Sequence, residues 1–121
     1  MRMERELSFA KLSVEMTRMG EDWLITLSGG EKPHIGCAVL AVPRPSLTGR
    51  GKRSATSSVI NVTGHKDEVL CRFLAEEIAQ KTGAVTVCTG GFHVDGITGE
   101  QIGEVMEAVR QIGQNLGESA V

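Results

Sequence analysis

The stretch Lys11-Leu12-Ser13-Val14-Glu15-Met16-Thr17-Arg18-Met19-Gly20-Glu21-Asp22-Trp23-Leu24-Ile25-Thr26-Leu27-Ser28 decides how the chain is read. Leu12, Val14 and Met16 point one way and Ser13, Glu15 and Thr17 the other, the period of a half-buried strand. Gly20-Glu21-Asp22 supplies turn residues, and beyond it Trp23, Ile25 and Leu27 alternate with Thr26 and Ser28. Two alternating runs around one short turn make an antiparallel hairpin.

Working outward, residues 1–9 are mixed in charge and lack periodicity, so they read as a flexible leader. On the other side Gly29-Gly30-Glu31-Lys32-Pro33 reads as a loop. Ile35 to Val42 follows as an apolar run, expected to lie centrally and to be covered on both faces. Pro43 and Pro45 are expected to end it. Ser46 to Ser54 is a polar loop, and Ala55 to Val62 returns as a β-branched strand. From Asp67 the period changes: Val69, Leu70, Phe73, Leu74 and Ile78 fall on one helical face, with acids in the first turn and Lys81 and Gly83 at the close. Val85, Val87 and Thr89 mark a short strand that meets a break at Gly90-Gly91, and residues 92–96 extend it after a bulge. Thr98 and Gln101 form a capping box for a last helix whose stripe runs from Ile102 to Leu116, with Gly117 as its stop. The stripe, Met106 included, serves the core or a partner subunit.

The order β-β-β-β-α-β-α gives an α+β fold, a mainly antiparallel sheet with two helices on one face. Residues 10–117 are expected to form one domain and 118–121 a loose tail.

Composition narrows the functional classes. The 121 residues are 40% hydrophobic and 23% charged, ordinary for a globular chain. The net charge of −2 and the pI of about 5.9 offer no field for nucleic acid or anionic lipid. Aromatics, at 3%, are too few for a base-stacking platform. The longest apolar run is too short to cross a bilayer, and Glu4 and Glu6 sit where an export signal would need apolar residues. With no such signal, Cys37, Cys71 and Cys88 read as free thiols of a cytoplasmic protein, small buried hydrophobes in character.

Chemistry concentrates at three junctions. His34 lies in Pro33-His34-Ile35-Gly36, His65 in Gly64-His65-Lys66-Asp67, and His93 in Gly91-Phe92-His93-Val94-Asp95. Two of these repeat His-x-Asp. In an extended segment His93 and Asp95 face the same way. Imidazole with carboxylate suits Zn, Mn or Fe, which makes His34, His65, His93, Asp67 and Asp95 candidate metal ligands. The plainer alternative is that each histidine is a capping or surface group. The segment from Arg44 to Arg53 carries Arg44, Arg50, Lys52 and Arg53 and no acid, so it is either a phosphate-binding loop or a solvated hairpin tip. Gly29-Gly30 and Gly90-Gly91 either let backbone approach a ligand or curve the sheet. No carboxylate pair stands in an apolar setting, and no serine has a nucleophile-elbow context.

The motifs S-G-G-E-K-P-H-I-G (28–36), G-H-K-D-E (64–68) and G-F-H-V-D-G-I-T-G-E-Q-I (91–102) resemble the small accessory protein of gallate and hydroxybenzoate decarboxylase systems. That family is a prenylated-flavin chaperone, similar in fold to proteasome assembly chaperones. The resemblance implies a cytoplasmic, non-catalytic partner of a UbiD-type decarboxylase, an enzyme that uses prenylated FMN and a divalent metal to remove CO2 from aromatic or unsaturated acids. It carries the motif histidines onto His34, His65 and His93, with Lys66 and Asp67 beside the second.

Together these readings predict that the three junctions converge on one pocket for reduced prenylated FMN, a divalent metal, or both. His34, His65 and His93 would be metal ligands or phosphate hydrogen-bond donors, and Asp67 and Asp95 would complete a metal shell or orient an imidazole through its second nitrogen. Gly29 and Gly30 would lie at the ligand, and Arg50, Lys52 and Arg53 would close on its phosphate. The alternatives are a small metal-dependent hydrolase or lyase using the same histidines, and a plain dimeric assembly module. A free sheet edge favours a homodimer.

Overall fold

The computed structural model describes residues 1–47, 51–62 and 66–121. Eight elements follow the chain: β1 (Arg2–Glu6), β2 (Lys11–Met19), β3 (Asp22–Gly30), β4 (Cys37–Pro45), β5 (Arg53–Asn61), α1 (Lys66–Thr82), β6 (Thr86–His93) and α2 (Gly99–Ala120). The strands form one sheet in the order β1-β2-β3-β6-β4-β5. Each neighbouring pair is antiparallel except β3 and β6, which run parallel. The fold is α+β, and the hairpin of β2 and β3 pairs Val14 with Leu27 and Met16 with Ile25, as the alternation requires.

The buried strand residues lie on one side of the sheet. Leu12, Val14, Met16, Ile25, Leu27, Val39, Ala41 and Cys88 form one cluster with Leu70, Leu74 and Ile78 of α1 and Val109, Ile112 and Leu116 of α2. Helix α1 lies against β4, β5 and β6, and α2 lies against α1 and β2. The start of α2 is held as expected: Thr98 Oγ1 accepts from Gln101 N at 3.2 Å, and Gln101 Oε1 accepts from Thr98 N at 2.9 Å. Glu104 ties the helix to the β1–β2 connection by accepting from both Ser8 N and Ser8 Oγ at 2.6 Å, which holds its carboxyl below the usual range.

Several expectations are corrected. Residues 2–6 are not a leader but the edge strand β1, so the order gains a strand. Arg-Met-Glu-Arg-Glu conceals a period of two: Met3 packs on the core, while Glu4 pairs with Lys11 at 2.8 Å and Arg2 at 3.0 Å. The apolar run of β4 is not covered on both faces. Cys37, Val39 and Ala41 are buried, but Leu40 and Val42 are exposed on the face away from the helices. Pro43 and Pro45 lie within β4 because its pairing with β6 ends at Ala41, and beyond it β5 is the only sheet neighbour among the described residues, an edge setting that tolerates proline. Gly90-Gly91 does not break β6, which runs on to His93. Gly117 does not stop α2. It lies inside the helix, where a Cβ would come 3.1 Å from Lys81 Cγ, so its role is the close crossing of α1 and α2, and the helix continues through Ala120 where a loose tail was expected.

Arg53 and Lys52 were expected at a phosphate. Arg53 instead donates from Nε to Gln80 O at 2.9 Å and from Nη2 to Lys81 O at 2.8 Å, serving the carbonyls that α1 leaves unpaired at its C-terminus. Lys52 lines an open hollow at the same end of the sheet. Arg53→Ala is expected to lower stability by about 1 kcal/mol, the worth of the lost hydrogen bonds, as a lower urea midpoint at unchanged m. Arg53→Lys should not restore it, because an ammonium cannot bridge both carbonyls with the guanidinium's fixed fork.

Candidate functional site

At the end of β6 three parts of the chain meet on one carboxylate. Asp67 is the second residue of α1, where an acid is favoured by the helix dipole. Its Oδ1 accepts from the backbone N–H of Phe92 at 2.9 Å. Its Oδ2 lies 3.0 Å from Nε2 of His34. The other ring nitrogen of His34, Nδ1, is 2.9 Å from the carbonyl oxygen of Lys32. Both nitrogens therefore face acceptors: a neutral ring donates to one of them and an imidazolium to both.

His93 stands beside this pair. Its ring lies edge-on to that of His34, centroids 6.3 Å apart and planes at 83°. Its Nε2 is 2.8 Å from Asp95 Oδ1. Backbone bonds stitch the segments together: Glu31 N donates to His93 O at 2.8 Å, and Gly36 N donates to Gly90 O at 2.8 Å. Two glycines make the approach possible. A Cβ on Gly91 would sit 2.5 Å from His34 Nε2, and one on Gly36 would collide with Asp67 Oδ2. Exposure rises outward along the set, with side chains 11% exposed at Asp67, 31% at His34, 45% at His93 and 86% at Asp95.

Behind the carboxylate is an apolar slot of about 150 Å³. Val69 and Leu70 of α1, Phe92 of β6, and Ile97, Ile102 and Met106 wall it, and Lys66 borders it. Phe92 thus lines the slot while its N–H holds Asp67. A family model for the prenylated flavin chaperone LpdD-like domain matches residues 8–120.

The chain belongs to that family. The crystal structure of a chaperone complex for yeast 20S proteasome assembly is similar in fold, with a TM-score of 0.53 at 14% identity over 100% of this chain and 98% of that chain. No curated protein matches the chain. The family expected from the three junction motifs, and its likeness to proteasome assembly chaperones, are both found.

In this flavin-chaperone chain the structure brings His34, Asp67, His93 and Asp95 to one end of the sheet, with Lys66 beside them. Gly30 pairs with His93, and Gly29 lies opposite Phe92. Arg50 and His65 lie outside the described residues. Lys52 and Arg53 are not at this end: Cys37 of β4 stands beside Gly90, and Pro45, eight residues on and paired with Arg53, is about 26 Å away at the strand rise. Their convergence on the histidines is therefore corrected. Among the described residues no three of His, Cys, Asp and Glu are placed to hold a metal ion. Both ring nitrogens of His34, both carboxylate oxygens of Asp67, and His93 Nε2 with Asp95 Oδ1 are turned toward hydrogen-bond partners of the chain itself. The slot was missed in the sequence, although an apolar stripe on α2 wide enough to include Met106 was its one visible sign.

Cys37, Cys71 and Cys88 are buried free thiols. Burial above all, then neighbouring Cys71 and Asp67, pushes the Cys37 thiol up to about 12. Cys71 is pushed up by its hydrogen bond with Cys88 and by burial. The folded protein is expected to leave all three unreactive toward Ellman's reagent near neutral pH, and guanidinium unfolding to release all three.

Proposed function

We propose that this chain is a non-catalytic accessory protein that binds prenylated FMN and helps deliver or preserve it for a UbiD-type aromatic acid decarboxylase. The observation that carries the reading is the His34 imidazole fixed on Asp67, with the His93 ring edge-on to it, beside an apolar slot, in a chain whose family is described as a prenylated flavin chaperone. That donor set fits the group. His93 and Lys66 offer N–H donors to anionic and carbonyl oxygens, His34 is the ring against which His93 stands, and the slot accepts carbon. Bound prenylated FMN supplies the decarboxylase with its reactive ring; the residues here hold and shield. Asp67 keeps His34 in one orientation, and His93 and Asp95 form the outer rim. A cytoplasmic setting accords with three free buried thiols. No helix among the described residues is long and apolar enough to cross a membrane.

Anaerobic titration with reduced prenylated FMN tests the reading. His93→Ala should weaken binding about tenfold or more, the worth of a hydrogen bond to a charged group, and His34→Ala should weaken it too, because it removes the ring that holds Asp67 and against which His93 stands. Unchanged affinity in both variants, or no binding by the wild type, would count against it. The cognate decarboxylase should copurify with the wild-type chain.

The homodimer belongs to the same proposal. On the sheet face away from the helices, Leu40, Val42 and Ile60 are exposed, with Leu24 and Val87 half-buried beside Leu40 in register. The β1–β2 half of that face carries Arg2, Glu4, Lys11 and Glu15. An aliphatic patch with a charged margin has the anatomy of a twofold interface, and a second copy supplies the same pattern in reverse. Sedimentation should give a wild-type dimer that Leu40→Glu converts to a monomer; a wild-type monomer would refute this part alone.

A further inference from the structure

We infer that the slot between the N-terminal turns of α1 and α2 is the specificity pocket that receives the extra ring which a five-carbon prenyl unit adds to the flavin, and that it separates this ligand from ordinary FMN. The inference rests on the proposed function and adds to it which residues discriminate.

Three observations carry it. The first is size. The cavity is about 150 Å³ and its walls, Lys66 apart, are aliphatic or aromatic. A dry apolar cavity of ~150 Å³ admits a benzene-sized group, and a branched five-carbon unit is of that order. The whole tricyclic flavin is far too large for it, so the slot takes one edge of the ligand. The second is exposure. Val69 of α1 and Met106 of α2 are exposed apolar side chains that both line the slot. Water at such a place is held by few polar partners and leaves readily to an apolar group. The third is continuity. Phe92 is the slot's wall and its N–H fixes Asp67, which fixes His34. Carbon recognition and polar recognition therefore share one rigid framework, and a ligand with an apolar ring fused to a polar heterocycle meets both together.

The rival occupant is the dimethylbenzene edge, which prenylated and ordinary FMN have in common. The two assignments separate in one experiment. Reduced prenylated FMN and reduced FMN are titrated anaerobically into wild type, Val69→Phe, which fills the slot mouth, and Met106→Ala, which removes one wall. Wild type should prefer the prenylated form by about tenfold or more, since even one methylene in a fitted pocket is worth roughly that. Val69→Phe should bring prenylated FMN down to the affinity of FMN and leave FMN within about twofold. Met106→Ala should shrink the preference in the same direction, and it decides the matter if Val69→Phe fails to fold by circular dichroism. A preference that survives in the folded variants overturns the inference and leaves the proposed function standing. Equal weakening of both flavins does the same, because it assigns the slot to the shared edge. A wild type that binds neither flavin overturns both.

Discussion

The Asp67 carboxylate is the point on which the functional end of this molecule depends. A buried charge is costly unless every lone pair that leaves water finds a donor. Asp67 meets that condition with one donor from β6, the Phe92 N–H, and with a second group, the His34 ring, from the connection between β3 and β4. The start of α1 adds its dipole. Removing any of these leaves the others unsatisfied, so helix, strand and loop are held in one arrangement. Gly36 and Gly91 are the steric counterpart of this electrostatic constraint, since a methyl group at either would occupy the space the pair needs.

The position of β6 sets where this happens. It enters the sheet between β3 and β4, parallel to the one and antiparallel to the other. Its end therefore lies beside Gly30 and near Gly36, which flank the loop that carries His34. Residues about sixty apart in sequence become neighbours without any long excursion of the backbone. At the other end of the sheet, Arg53 is absorbed by the carbonyls of α1. The two ends thus differ in kind. One holds an assembled polar set beside a cavity, and the other uses its best cation to finish a helix.

Much of the fold was legible because its signals are local. The β2–β3 hairpin, the stripe of α1 and the Thr98–Gln101 box depend on residues within a few positions of one another. What failed were inferences that needed a partner. Arg2–Glu6 looks like charge noise until Lys11 lies opposite Glu6, with Glu4 close enough to pair with it. The apolar run of β4 looks doubly covered, because a sequence cannot say that one sheet face is left without helices. Arg53 and Lys52 sit in the same basic segment, and only the strand register shows how far that segment lies from the histidines. For the site, the junction motifs pointed to His34, His93 and Asp67 as neighbours but left two chemistries between them open. A histidine and an aspartate in proximity read equally well as two metal ligands or as a hydrogen-bonded pair, and the choice depends on where each lone pair points.

A site that holds cargo for another protein has two opposing requirements: it must recognise, and it must let go. Recognition needs groups whose positions are fixed before the ligand arrives, because ordering them on binding would cost affinity. Release needs an outer margin that water or a partner can reach. The gradient from Asp67 through His34 and His93 to Asp95 meets both, with rigidity inside and access outside. A closed metal cage would satisfy the first requirement and oppose the second. On the proposed function, the hydrogen-bonded histidines are then better suited to the task than ligated ones. Their exposed rim, His93 and Asp95, is open to water, while the slot supplies an attraction that does not depend on the cargo's charge.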